Sequence, residues 1–164
     1  MNVCVAVISN KNSPLFFKTS NQEELLSFKF RVYGALDIID DKFHTANSKS
    51  SYADKEVTHK YLGLLYPIDD HYIYGYITNT NIKFILVRED HSTAADIPKS
   101  NAAAQTDAEV KAIFEDIHSA YLCLVSSPFY VPGTPINPSL SAAARKFDQV
   151  IEQILSSSPT TSKL

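Results

Sequence analysis

The chain has 164 residues, of which 45% are hydrophobic and 20% charged, enough for one buried core and too ordinary a mixture for a disordered, collagen-like or coiled-coil chain. Its 15 Lys and Arg against 18 Asp and Glu leave a net charge of -3 and no basic stripe, which argues against duplex nucleic acid as the main partner. No apolar run approaches the length of a bilayer span, so residues 1–155 are expected to form a single domain, with residues 156–164 a disordered Ser-rich tail.

Residues 2–9 are apolar on both alternating sets, Val3, Val5, Val7 and Cys4, Ala6, Ile8, the pattern of a central strand covered on both faces. With no basic segment ahead of it, this stretch reads as a strand and not a secretory signal, so the cytoplasm is the expected compartment. A polar turn at 10–14 joins it to a short strand at 15–19, an antiparallel hairpin. From 23 to 43, Leu25, Phe28, Val32, Leu36, Ile39 and Phe43 recur at spacings of three and four, one face of a long helix. Leu26, Phe30 and Tyr33 lie beside that stripe and widen it beyond what packing on one sheet requires. Asp37, Asp40 and Asp41 follow near the expected helix end, and residues 46–58 read as a polar loop.

Strands at 61–66, 72–78 and 82–88 follow as a meander. Residues 90–105, rich in Ala, Asp and Ser and containing Pro98, read as a mobile surface loop. Thr106-Asp107-Ala108-Glu109 has the form of a capping box and places the start of the second helix there. Its core side is Val110, Ile113, Phe114, Ile117, Tyr121 and Leu124, and Pro128 ends it. A Pro-rich and Gly-containing bend spans 129–138. A third helix at 139–155 is expected to turn Leu140, Ala143, Phe147, Ile151 and Ile154 inward. Strand, strand, helix, three strands, helix, helix is an α+β arrangement, a five-stranded antiparallel sheet with helices on its faces.

Chemistry-bearing groups are sparse. His44, His59, His71, His91 and His118 never fall at metal-ligand spacings, and no Cys-x-x-Cys occurs, so no metal is expected. Cys4 and Cys123 each sit in an apolar element and are both expected to be buried free thiols. The scattered Gly34, Gly63, Gly75 and Gly133 build no phosphate loop, so no cofactor and no catalytic residue is assigned. Asp37, Asp40 and Asp41 read as a solvated helix end. What stands out is apolar surface. Leu26, Phe30 and Tyr33 on the first helix, and Phe129 and Tyr130 in the bend, are residues that either anchor an interface or close the core.

Four stretches occur in order: Leu36-Asp37-Ile38-Ile39-Asp40, Tyr61-Leu62-Gly63-Leu64-Leu65-Tyr66-Pro67, Tyr74-Gly75-Tyr76-Ile77-Thr78-Asn79 with Lys83-Phe84-Ile85, and Pro128-Phe129-Tyr130-Val131-Pro132-Gly133 with Phe147-Asp148. Together, from Val3 to about Leu155, they resemble the sedlin family of TRAPP (trafficking protein particle) subunits. The resemblance implies a longin-like, sedlin-type fold of order β-β-α-β-β-β-α-α. It implies a non-catalytic subunit of the TRAPP vesicle-tethering complex in endoplasmic reticulum to Golgi and intra-Golgi transport. The assembled complex, not this subunit, would activate Rab GTPases by nucleotide exchange. Direct partners would be other TRAPP subunits, with Rab GTPases and the membrane reached only through the complex. The docking side would be the first helix at Phe30, Tyr33 and Asp37, the last being the aspartate of the Leu-Asp-x-x-Asp stretch.

Ser126-Ser127, where relatives often carry Cys-Asn, and the longer loops at 46–58 and 90–105 depart from the family pattern. Another longin-domain adaptor, such as a coat small chain, shares the element order but fits the quoted stretches less well. The terminal Ser162-Lys163-Leu164 has the form of a peroxisomal import signal, which gives a peroxisomal matrix protein as a further alternative.

Overall fold

The structure, a computed structural model, describes residues 1–49, 60–89 and 99–156. Strands β1 (Asn2–Ile8), β2 (Pro14–Thr19), β3 (Lys60–Ile68), β4 (His71–Ile77) and β5 (Lys83–Glu89) form one antiparallel sheet in the order β2-β1-β5-β4-β3. Helix α1 (Leu25–Lys49) covers one face, and α2 (Lys99–Val125) and α3 (Ala142–Ser156) cover the other. β1 is buried along its whole length because helices lie on both sides of it. Val5 and Val7 pack with Phe84, Phe114 and Phe147 under α2 and α3, while Cys4, Ala6 and Ile8 pack with Phe28, Val32 and Ile39 under α1. The two alternating apolar sets in the sequence are thus the two cores.

The core beneath α2 is largely aromatic. Tyr76 stacks on Phe84 at 5.8 Å and on Phe114 at 5.6 Å, and Phe147 meets Phe16 edge-on at 5.1 Å. The Tyr76 hydroxyl, 3.2 Å from His118 Nδ1, keeps a polar partner inside this layer. Each hairpin turn uses a short polar residue in the left-handed region: Asn12 (φ 59°), Asp69 (φ 51°) and Asn81 (φ 59°). Gly63, at φ 67°, does the same inside β3, where the register slips between Tyr61 and Gly63.

Three helix boundaries differ from the sequence reading by three residues or more. α1 runs on to Lys49, into the stretch expected to be a loop, while residues 50–58 of that stretch lie outside the described residues. α2 begins at Lys99 and not at Thr106, so the apparent capping box lies inside a helix. Ala102-Ala103-Ala104-Gln105 are strong helix formers, and their propensity continues the helix through a site that could have started it. Of the expected 90–105 loop, 99–105 is therefore helical, and 90–98 lies outside the described residues. α3 starts at Ala142 because Ser141 caps it, its hydroxyl accepting the Ala144 N–H at 3.0 Å. Leu140, ahead of the cap, is 80% exposed instead of inward, and Ala144 takes the buried place in the first turn. The expected tail from 157 onward lies outside the described residues.

Candidate interaction surface

Leu26, Phe30, Tyr33 and Asp37 stand at i, i+4, i+7 and i+11 on α1, one line along the helix. At about 100° per residue, that line is centred roughly 150° from the buried line of Phe28, Val32, Ala35, Leu36 and Ile39. Leu26 is 67% exposed, Phe30 72% and Tyr33 45%. These side chains do not close the core; they form a row of apolar surface that ends at exposed Asp37.

The helix under this row is pinned to the sheet. Arg31 bonds Asp69 at 3.3 Å, its guanidinium lies 5.5 Å from the Phe28 ring centre, and its carbonyl accepts the Tyr66 hydroxyl at 2.6 Å. Burial pushes the Tyr66 hydroxyl pKa up, so it stays protonated and donates. Further along, the Lys42 ammonium donates to the carbonyls of Leu62 at 3.3 Å and Leu64 at 2.9 Å. Near-buried Lys83 reaches Asp40 Oδ1 and Asn12 Oδ1, each at 2.6 Å. Asp40 is therefore not a solvated helix end, as the sequence reading had it, but the partner of a buried ammonium. Because α1 runs to Lys49, Asp37 stands in mid-helix and not at the helix end.

The bend residues separate. Tyr130 is half-buried: its hydroxyl lies 3.2 Å from that of Tyr121, and the two rings meet edge-on at 6.5 Å. Burial, and then the Tyr130 hydroxyl, push the Tyr121 pKa well above its ordinary value. Tyr130 fixes the bend to the core, whereas Phe129 beside it is 85% exposed. Phe129 borders a groove of about 730 Å³ lined also by Cys123, Leu140, Phe147 and Val150. The structure thus gathers Leu26, Phe30, Tyr33 and Asp37 on α1 and places Phe129 and Tyr130 on the side of the sheet covered by α2 and α3. The sequence reading did not name Leu122 or Val131 as surface and placed exposed Leu140 inward; Ser141, a cap residue directly after Leu140, was the available signal for Leu140.

Cys123 is exposed, which overturns the expectation that both thiols are buried, while Cys4 is buried and desolvation raises its thiol pKa far above the ordinary value. An aromatic disulfide reagent should therefore label one thiol per native chain rapidly and two after denaturation. Cys123→Ser should abolish the fast phase; a fast phase that survives it would contradict this placement. Among the described residues, no group of three or more His, Cys, Asp or Glu is placed to hold a metal ion, and no helix is long and apolar enough to cross a membrane.

The Sedlin family profile matches residues 7–157. The chain belongs to the sedlin family. Its strand order and flanking helices are those of an α+β longin-like, sedlin-type fold. This sedlin-family chain is 34% identical over 155 residues to the trafficking protein particle complex subunit 2-like protein of Xenopus tropicalis, covering 94% of this chain and 97% of the relative. The protein of the same name in Dictyostelium discoideum is 35% identical over 159 residues, covering 94% of this chain and 96% of the relative. The transport protein particle 20 kDa subunit of Schizosaccharomyces pombe is 26% identical over 144 residues, 83% of this chain and 88% of the relative.

Proposed function

We propose that this chain is a non-catalytic subunit of a trafficking protein particle, docked on neighbouring subunits by Leu26, Phe30, Tyr33 and Asp37 of α1. The observation that carries the reading is the exposed apolar row on a helix whose position is fixed by Arg31, Lys42 and Lys83. Single exposed apolar residues are ordinary surface, but a contiguous row on a rigid element is what an interface requires. The names of the relatives, subunits of trafficking and transport protein particles, support the same reading.

In this role the chain acts in the cytoplasm, peripheral to the endoplasmic reticulum and Golgi. It contributes surface to an assembly that exchanges nucleotide on Rab GTPases and meets the membrane only through that assembly. Phe129, on a bend held by Tyr130, is a second contact point facing away from α1. The test is affinity purification from native cells with the tag at the N-terminus, leaving Leu164 free, followed by mass spectrometry. TRAPP subunits should be recovered at comparable molar amounts. Recovery of none of them, or of a peroxisomal import receptor in their place, overturns the reading.

A further inference from the structure

The two edges of the sheet are not equivalent. β3 is blunted: its register slips twice, Pro67 removes a donor, and Lys42 occupies the carbonyls of Leu62 and Leu64. β2 is different. The Ser20 N–H donates to the Val3 carbonyl at 2.9 Å, and the strands pair with Lys18 opposite Val5 and Phe16 opposite Val7. By the alternation of an antiparallel ladder, Phe16 and Lys18 turn their main-chain groups toward β1, while Phe17 turns both its N–H and its C=O out of the sheet. Leu15 also faces outward, but its carbonyl is taken by the Ile136 N–H at 2.7 Å.

A groove of about 460 Å³ runs along this edge, bordered by Lys29 and Tyr33 of α1 on one side and by Ile136 and Asp148 on the other. The geometry points to strand addition at Phe17 of β2: an extended segment of a partner protein, carrying a carboxylate on its α1-facing side, lies in this groove and exchanges both main-chain hydrogen bonds with Phe17.

A donor and an acceptor on one outward-facing residue match a strand residue that offers the reverse pair, which a helix cannot do because its own groups are bonded internally. The charges decide the side. Lys18 is already compensated by Asp148 at 2.8 Å and Glu152 at 3.5 Å. Lys29 has no carboxylate within ion-pair distance among the described residues; its ammonium lies 5.9 Å from the Phe17 ring centre, at the mouth of the groove. A second copy is the poorer occupant, because twofold pairing through Phe17 would set both α1 helices on one face and turn two uncompensated Lys29 groups toward each other.

This inference rests on the subunit reading, since the segment belongs to a neighbouring subunit of the purified assembly. Amide hydrogen exchange, resolved to single residues, is compared between the isolated chain and the chain in the complex recovered through its N-terminal tag. The Phe17 amide should exchange at least tenfold more slowly in the complex. The Phe16 and Lys18 amides, already bonded to β1, should change little. Phe17→Pro, which removes the outward donor together with the partly buried Phe17 ring, should keep the circular dichroism of the fold and reduce recovery of partners at least tenfold, whereas Phe17→Ala, which removes the ring and keeps the donor, should retain them. Should that variant not fold, Lys29→Glu, an exposed change on α1, should reduce recovery instead. A complex in which Phe17 exchanges as fast as in the free chain overturns strand addition and leaves the α1 docking standing. A purification that recovers no TRAPP subunit overturns both.

Discussion

Phe30→Ala combined with Tyr33→Ala should leave the domain folded, with a melting midpoint within about 3 °C of the parent, and should abolish co-purification of neighbouring subunits. The first half follows from exposure. Phe30 is 72% exposed and Tyr33 45% exposed, so truncation opens no cavity, and surface changes of this kind usually fall within about 0.5 kcal/mol. The second half follows from the energetics of interfaces, where a few aromatic anchors carry most of the binding and each costs about 2 kcal/mol or more when removed. Two such losses correspond to on the order of a thousandfold in affinity, which a pull-down registers as absence.

Phe28→Ala is the discriminating control. Phe28 lies two residues from Phe30 on the same helix but is 1% exposed and packs in the core under α1. It should lose partners only in proportion to its loss of folded protein, measured by urea unfolding on the same sample. If the double variant keeps its partners, docking does not use this row.

Much of the fold was legible because the two periodicities are clean. The apolar residues on both alternating sets of β1 state that both its faces are buried, the three-four spacing of Phe28, Val32, Leu36 and Ile39 states which side of α1 is, and the structure buries those sides. The helix ends were less legible, since local signals compete there. Thr106 and Glu109 satisfy a start motif, yet the alanines before them, the most favourable helix residues, continue the helix. Leu140 sits at a helical spacing from Phe147, but the Ser141 hydroxyl sets the start of α3 after it. Periodicity registers spacing and does not register which turn is the first.

The candidate surface was legible for a related reason. Leu26, Phe30 and Tyr33 were conspicuous because they exceed the stripe that one sheet can bury, an excess that spacing alone exposes. Tyr130 and Phe129 could not be separated in this way, because a bend has no period. Which of two adjacent aromatics turns inward depends on Tyr121, a partner nine residues away on another element. The open edge at Phe17 could not be read at all. It depends on ladder parity and on where Ile136 returns to the sheet, and both are long-range facts.

The largest effect on stability should come from Phe147→Ala, a loss of about 3–5 kcal/mol in urea unfolding, the range for removing a buried aromatic and leaving its cavity. For a domain of this size that corresponds to a midpoint lowered by about 10 °C. Phe147 is 1% exposed, meets Phe16 of β2 edge-on at 5.1 Å and lies 6.4 Å from Tyr121 of α2. It therefore joins α3 to both the sheet and its neighbouring helix. Around it α3 contributes Ala144, Ile151, Ile154 and Leu155, whose positions are fixed by the helix and cannot close over the gap. Phe147→Leu, which keeps most of the volume, should cost only about 1–2 kcal/mol. The effect should also reach the edge strand, since Asp148, the next residue, holds Lys18 of β2 at 2.8 Å. An α3 that loosens frees both Lys18 and the groove wall beside Phe17. A loss below about 1 kcal/mol for the alanine variant would mean that α3 can repack without this anchor, and would remove Phe147 as the link between core and edge.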